Sequence, residues 1–162
     1  MSVEQSPSKR FSLASAPDSE TYLRRYADVL ESLTVESLPA LVALTSPQIC
    51  FSDPFHRIEG QERFRTVMRD MFTRLNGVCF CVHQVAPIAN DAMRGGFLYW
   101  TFTASSKRTG TFSFDGTSRI ELDAEGLVRV HEDYWDSAAL YRHIPGLGTL
   151  FRWLQRKAAC QV

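Results

Sequence analysis

The chain has 162 residues, of which 44% are hydrophobic and 12% aromatic, and its 18 Lys and Arg balance 18 Asp and Glu. That length and apolar share fit one domain with a real core. The zero formal charge argues against a nucleic-acid binder, which shows a basic excess, and no apolar run of about 18 residues is present to span a membrane.

Residues 1–16 are polar and Ser-rich, with no apolar signal-peptide core, and read as a flexible leader. A first helix is expected over residues 17–33, with Pro17 in its first turn and Tyr22, Tyr26, Val29, Leu30 and Leu33 on one face. A short second helix follows over 35–44. Residues 48–52 read as a strand ended by Asp53-Pro54, because proline cannot continue a ladder. After Gly60, a third helix over 61–75 carries Phe64, Val67, Met68, Met71, Phe72 and Leu75 as its apolar stripe. Arg63, Arg65, Arg69 and Arg74 are expected on its wet face.

Asn76-Gly77 marks a turn, and three long strands are expected over 78–89, 94–105 and 111–122. The turn Asp123-Ala124-Glu125-Gly126 leads into a last strand over 127–135. A helical turn over 137–143 stops at Pro145, and 147–157 is amphipathic, with Leu150, Phe151 and Leu154 against Arg152, Arg156 and Lys157. The expected division is a domain over 17–143 and a helical tail over 144–162, packed on the domain or on a dimer partner.

The order of elements is α+β: helices covering the concave face of a curved, cone-shaped sheet. Such a cone can hold an apolar pocket. Cys50, Cys79, Cys81 and Cys160 make no convincing disulfide set, and a reduced, cytoplasmic protein with structural thiols is the simpler reading. Cys79, Cys81 and His83 alternate along one strand, so the outer two lie about 13 Å apart. One tetrahedral zinc cannot easily collect all three, and no metal site is expected.

The segment CFSDPFHRIEG after two helices, with a final strand ending in DYWD, resembles the nuclear transport factor 2-like superfamily over residues 17–136. That superfamily has a cystatin-like fold and includes ketosteroid isomerases, limonene epoxide hydrolases and SnoaL-type polyketide cyclases. More narrowly, DPFHRIEG, FDGTS and DYWDSAALYRHIPGLGTLFRWL are similar to a bacterial subgroup of it. The ketosteroid isomerase resemblance implies Asp53, in Ser52-Asp53-Pro54-Phe55, as general base and Tyr26, in Arg25-Tyr26, as oxyanion donor. Trp135 matches its pocket tryptophan. Ser118 stands where that family has a second, protonated acid, a departure that puts steroid isomerisation itself in doubt. Arg119 and Glu121 resemble the Arg-x-Asp pair of limonene epoxide hydrolases, but strand parity set by Ser118 turns them to the other face.

A desolvated Asp53 could take a proton from carbon beside a carbonyl while Tyr26 stabilised the enolate. The structural alternative is that Asp53 caps its own turn and Tyr26 is a core aromatic with a satisfied hydroxyl. On the last strand His131, Asp133 and Trp135 alternate onto one face, so the His131–Asp133 pair could serve as acid and base, or could be a hydrogen-bonded polar layer bonding to Arg119, Arg94 or backbone. The SnoaL-type resemblance implies the first, with a late-strand Asp transferring the proton. Trp100, Phe102, Phe114 and Phe55 are expected pocket residues beside Trp135 and Ser118. The expected protein binds a hydrophobic small molecule without a cofactor and forms a homodimer through the sheet face. Its activity would be that of an isomerase or cyclase. The alternative is a noncatalytic ligand-binding or protein-interaction domain.

Overall fold

The computed structural model describes residues 19–90, 93–141, 153, 156 and 157. The leader and most of the tail expected from the sequence lie outside the described residues. The elements are α1 (Ser19–Glu31), α2 (Leu38–Ala43), β1 (Thr45–Ser52), β2 (Arg57–Glu59), α3 (Gln61–Arg74), β3 (Asn76–Asn90), β4 (Met93–Ser106), β5 (Gly110–Leu122), β6 (Val128–Trp135) and α4 (Ser137–Tyr141). No helix among the described residues is long and apolar enough to cross a membrane.

The six strands form one curved sheet in the order β2-β1-β6-β5-β4-β3. Neighbours are antiparallel except β1 and β6, which run parallel with Phe51 opposite His131. The sheet is therefore mixed, and the last strand is inserted between the first and the long meander. This α+β arrangement is the one the order of helices and strands implies.

Each helix covers the sheet with the face its sequence period defines. Leu23, Tyr26, Ala27 and Leu30 fall at i, i+3, i+4 and i+7 and are all buried, placing α1 on β3 and β4. Phe64 and Met68 anchor α3 over β1. Full burial of such side chains stabilises the domain by about 1.5–3 kcal/mol each. Along β5, Phe112, Gly116, Ser118 and Ile120 are buried while Ser113 and Asp115 are exposed. The parity read from the sequence is the observed one.

Three local features differ from expectation. First, β1 and β2 form a hairpin closed by Asp53-Pro54-Phe55-His56, with Ser52 opposite Arg57 and the Asp53 N–H on the His56 carbonyl. A three-residue strand is too short to show a period of its own. Second, Cys50, Cys79 and Cys81 are exposed rather than buried structural thiols, because they stand on the solvent side of their strands. Third, β3 carries an extra residue, His83, between the pairs Val82–Trp100 and Gln84–Tyr99. His83 contacts Cys81 Sγ at 3.9 Å and Thr101 Oγ1 at 2.6 Å on the outer face.

Candidate functional site

Between α3, the concave sheet face and α4 lies a cavity of about 380 Å³. Strand alternation delivers most of its wall: Phe80 from β3, Trp100 and Phe102 from β4, Phe112 and Phe114 from β5, Asp133 and Trp135 from β6. Phe51 and the β1–β2 turn (Asp53, Phe55, His56) supply one side. From α3 come Val67, Met68, Met71 and, at the mouth, Asp70 and Arg74; Leu140 of α4 completes it. Arg74 is the one member of the expected wet arginine face that turns toward this opening, held 3.6 Å from Asp70.

The rings pack on one another. Phe114 and Trp135 stack with centroids 4.4 Å apart, Phe55 meets Trp135 edge-on at 5.3 Å, and Phe80 contacts both Trp100 and Phe102. Gly116 makes the Trp100 position possible. A Cβ there would lie 2.3 Å from the Trp100 ring, so only glycine lets the indole cross β5.

Trp100 begins a continuous hydrogen-bonded chain. Its Nε1–H donates to Ser118 Oγ at 2.7 Å, and Ser118 Oγ–H donates to Asp133 Oδ1 at 2.5 Å. His131 Nε2 lies 2.8 Å from the same Oδ1, and His131 Nδ1 lies 2.9 Å from the Tyr26 hydroxyl. Trp100, Ser118, His131 and Tyr26 are each at most 3% exposed. Donor counting then fixes the protons. An indole N–H only donates, so Ser118 accepts there and must spend its own hydrogen on Asp133. If His131 were the doubly protonated cation, Tyr26 would accept from Nδ1 and its buried hydroxyl hydrogen would have no acceptor. A neutral His131 protonated on Nε2 satisfies every group: it donates to Asp133 and accepts from Tyr26. Asp133 Oδ1 is thus a double acceptor. No hydrogen bond among the described residues reaches Oδ2, and Asp133 lines the cavity with its side chain 14% exposed. Burial first, and then the charge of Asp133, hold the Tyr26 phenol well above its ordinary pKa, so it stays a donor.

Asp53 is differently placed. Its Oδ1 accepts the backbone N–H groups of Phe55 at 2.7 Å and His56 at 2.6 Å, and both carboxylate oxygens lie 3.0 Å from His56 Nδ1. It caps its own turn, the structural alternative for this residue, and at the same time orients His56 in the cavity wall. Tyr26 does not line the cavity; its hydroxyl is committed to His131. The structure therefore brings Tyr26, His131, Asp133, Ser118 and Trp100 into one chain, and places Asp53, Phe55, Phe102, Phe114 and Trp135 around the same cavity. His56 is a titratable wall residue that the sequence analysis did not single out. The signal was the Asp-Pro-x-His spacing, which lets an Asp at the first turn position meet the fourth side chain.

On the other sheet face, Arg119 joins Glu121 and Glu132, and Arg129 joins Glu121. Neither Arg119 nor Glu121 lines the cavity, as the parity argument requires. Among the described residues, no group of three or more His, Cys, Asp or Glu is arranged to hold a metal.

A family model described as a SnoaL-like domain matches residues 23–131. No curated protein matches the chain. Among solved structures, an NTF2-like protein of unknown function from Exiguobacterium superposes with a TM-score of 0.60 at 21% identity, covering 71% of this chain and 98% of its own. An LEH-like epoxide hydrolase from M. tuberculosis gives 0.60 at 16% identity, over 89% of this chain and 95% of that one. A protein from Catenulispora acidiphila with a ketosteroid isomerase-like fold, in complex with trimethylamine, gives 0.62 at 10% identity, over 76% and 91%. At these identities the likeness is one of fold.

Proposed function

The chain belongs to the SnoaL-like domain family, and on that footing we propose that its cavity binds a hydrophobic small molecule and moves a proton on it with Asp133, without a cofactor. The observation that carries this reading is the buried chain from Trp100 to Tyr26, which converges from both ends on the Asp133 carboxylate and leaves one of its oxygens for a ligand. Oδ2 would take a proton from carbon next to a carbonyl and return it to a neighbouring position, an isomerase or cyclase step. Such general-base help is worth roughly 10²- to 10⁴-fold. Oδ1 keeps both donors throughout, so the carboxyl does not turn as its charge changes. His131, Tyr26, Ser118 and Trp100 are positioning residues that hold it still. His56, tied to Asp53, is the second proton carrier in the wall. The place for this chemistry is the cytoplasm expected from the reduced thiols.

The test is hydrogen–deuterium exchange at the α-carbon of bicyclic ring ketones, followed by NMR. Wild-type protein is expected to accelerate exchange, Asp133→Asn to lose at least about 100-fold of it, and Asp53→Asn to keep it within about tenfold. Equal rates for wild type and Asp133→Asn would sink the proposal. Ligand-dependent quenching of Trp100 and Trp135 fluorescence with no exchange in any case would favour the noncatalytic binding domain.

A further inference from the structure

We infer that the preferred ligand of this cavity carries a positive charge, a tertiary or quaternary amine on a hydrophobic frame. The inference rests on the assignment of the cavity as the ligand site and deepens it by naming the ligand's charge. Among the described residues three carboxylates line the cavity, and two of them already have a cationic or cation-forming partner. Asp70 sits 3.6 Å from Arg74, and Asp53 sits 3.0 Å from His56 Nδ1. Asp133 has neither. Its partners are the Ser118 hydroxyl and the Nε2–H of His131, which donor counting makes neutral. Hydrogen bonds satisfy Oδ1 but do not cancel the charge, and Oδ2 has no hydrogen-bond partner among the described residues, in a side chain that lines the cavity.

The rest of the wall suits a cation as well. Among the described residues, eight Phe and Trp side chains line the cavity, two of them indoles. Ring faces are negative, and a tetraalkylammonium or protonated amine packs on them without needing strong hydration. Phe114 stacked on Trp135, with Phe55 edge-on to the same indole, forms a corner beside Asp133 in which such a group is met by ring and carboxylate together. An anionic ligand would have to place its charge against Asp133, with Arg74 at the mouth, 78% exposed and already paired, as the one guanidinium that the described residues give the wall. A neutral ligand would leave the Asp133 charge uncompensated in a cavity from which it had displaced water. For a proton-transfer substrate the charge has a further use. An ammonium beside a carbonyl raises the acidity of the C–H between them, so one group would serve for both attraction and activation.

The experiment is a charge series of near-identical shape: phenyltrimethylammonium, tert-butylbenzene and 4-tert-butylbenzoate, each titrated into the whole chain by calorimetry and by Trp fluorescence. The cation is expected to bind at least about tenfold more tightly than its neutral isostere, and the benzoate more weakly than either. Asp133→Asn is expected to remove that preference, with tert-butylbenzene binding at least as tightly as in wild type, and thermal melts establish that this variant is folded. Trp135→Leu is the second variant and is expected to weaken the cation more than the neutral compound. Equal affinity for cation and neutral isostere overturns the inference, as does a preference that survives Asp133→Asn. Asp133-dependent α-carbon exchange is measured on the same samples, so loss of the charge preference with exchange intact condemns the ligand class and leaves the proton-transfer reading standing.

Discussion

Asp133→Asn and Asp133→Ala should differ sharply in stability, although both remove the same charge. In the asparagine variant the side-chain carbonyl can stay where Oδ1 is and keep accepting from Ser118 Oγ, at 2.5 Å in the wild type, and from His131 Nε2, at 2.8 Å. The amide NH₂ then occupies the Oδ2 position toward the cavity. Two charge-assisted bonds become neutral ones, a loss of about 1 kcal/mol each, partly offset because a carboxylate no longer has to be desolvated. In the alanine variant both buried donors lose their acceptor, at about 1–3 kcal/mol apiece. Alanine should therefore lie about 2 kcal/mol below asparagine. For a chain of this size that is a gap of about 4–8 °C in melting temperature. Urea unfolding and thermal melts at pH 7 read it directly. If the two variants melt together, Oδ1 is not the double acceptor that donor counting makes it. The proposed assignment of the exchangeable proton to Oδ2 then fails with it.

The remaining expectations concern the two ends of the same chain. Because the folded state holds the Tyr26 pKa above the unfolded value of about 10, its contribution to stability is complete below about pH 10 and is lost as pH rises past that toward the folded value. Tyr26→Phe should lower stability at pH 7 by about 1–3 kcal/mol, since Nδ1 of His131 loses its donor, and should flatten the alkaline loss of stability; urea melts from pH 8 to 11 that fall in parallel with wild type would contradict this. Gly116→Ala puts a methyl group 2.3 Å from the Trp100 ring, so it should cost about 1–3 kcal/mol and shift the tryptophan near-ultraviolet dichroism. A spectrum and melt like those of wild type would mean that the indole does not lie over β5.

The fold was readable because its main signals are periodic. Residues 23, 26, 27 and 30 bury one face of α1, and the alternation from Phe112 to Ile120 sets which side of β5 faces the helices. The parallel pairing of β1 with β6 was not readable, because it joins residues such as Phe51 and His131 that are far apart in sequence and leave no local mark. Nor was β2. What specifies it is the turn chemistry of Asp53 and Pro54, with the strand itself too short to alternate.

The candidate site divides along the same line. Strand parity placed His131, Asp133 and Trp135 on one face, and the resemblance singled out Ser118 on the neighbouring strand; the register then puts Ser118 directly opposite Asp133. What parity cannot supply is the partner of each polar atom. Tyr26 and Asp53 were paired by resemblance, yet each found a nearer group that meets its hydrogen-bonding need: His131 for the phenol, and the N–H groups of Phe55 and His56 for the carboxylate. A buried hydroxyl and a turn carboxylate are satisfied before they are available for chemistry, because leaving either unpaired costs about 1–3 kcal/mol. That ordering favours Asp133 over Asp53 as the proposed base. It shares one oxygen between two donors and keeps the other for the cavity, whereas Asp53 spends its oxygens on the turn and on His56. The replacement of a second acid by Ser118 fits the same logic. A serine can pass a hydrogen bond from Trp100 to Asp133, while an acid at that position would compete with Asp133 for the proton.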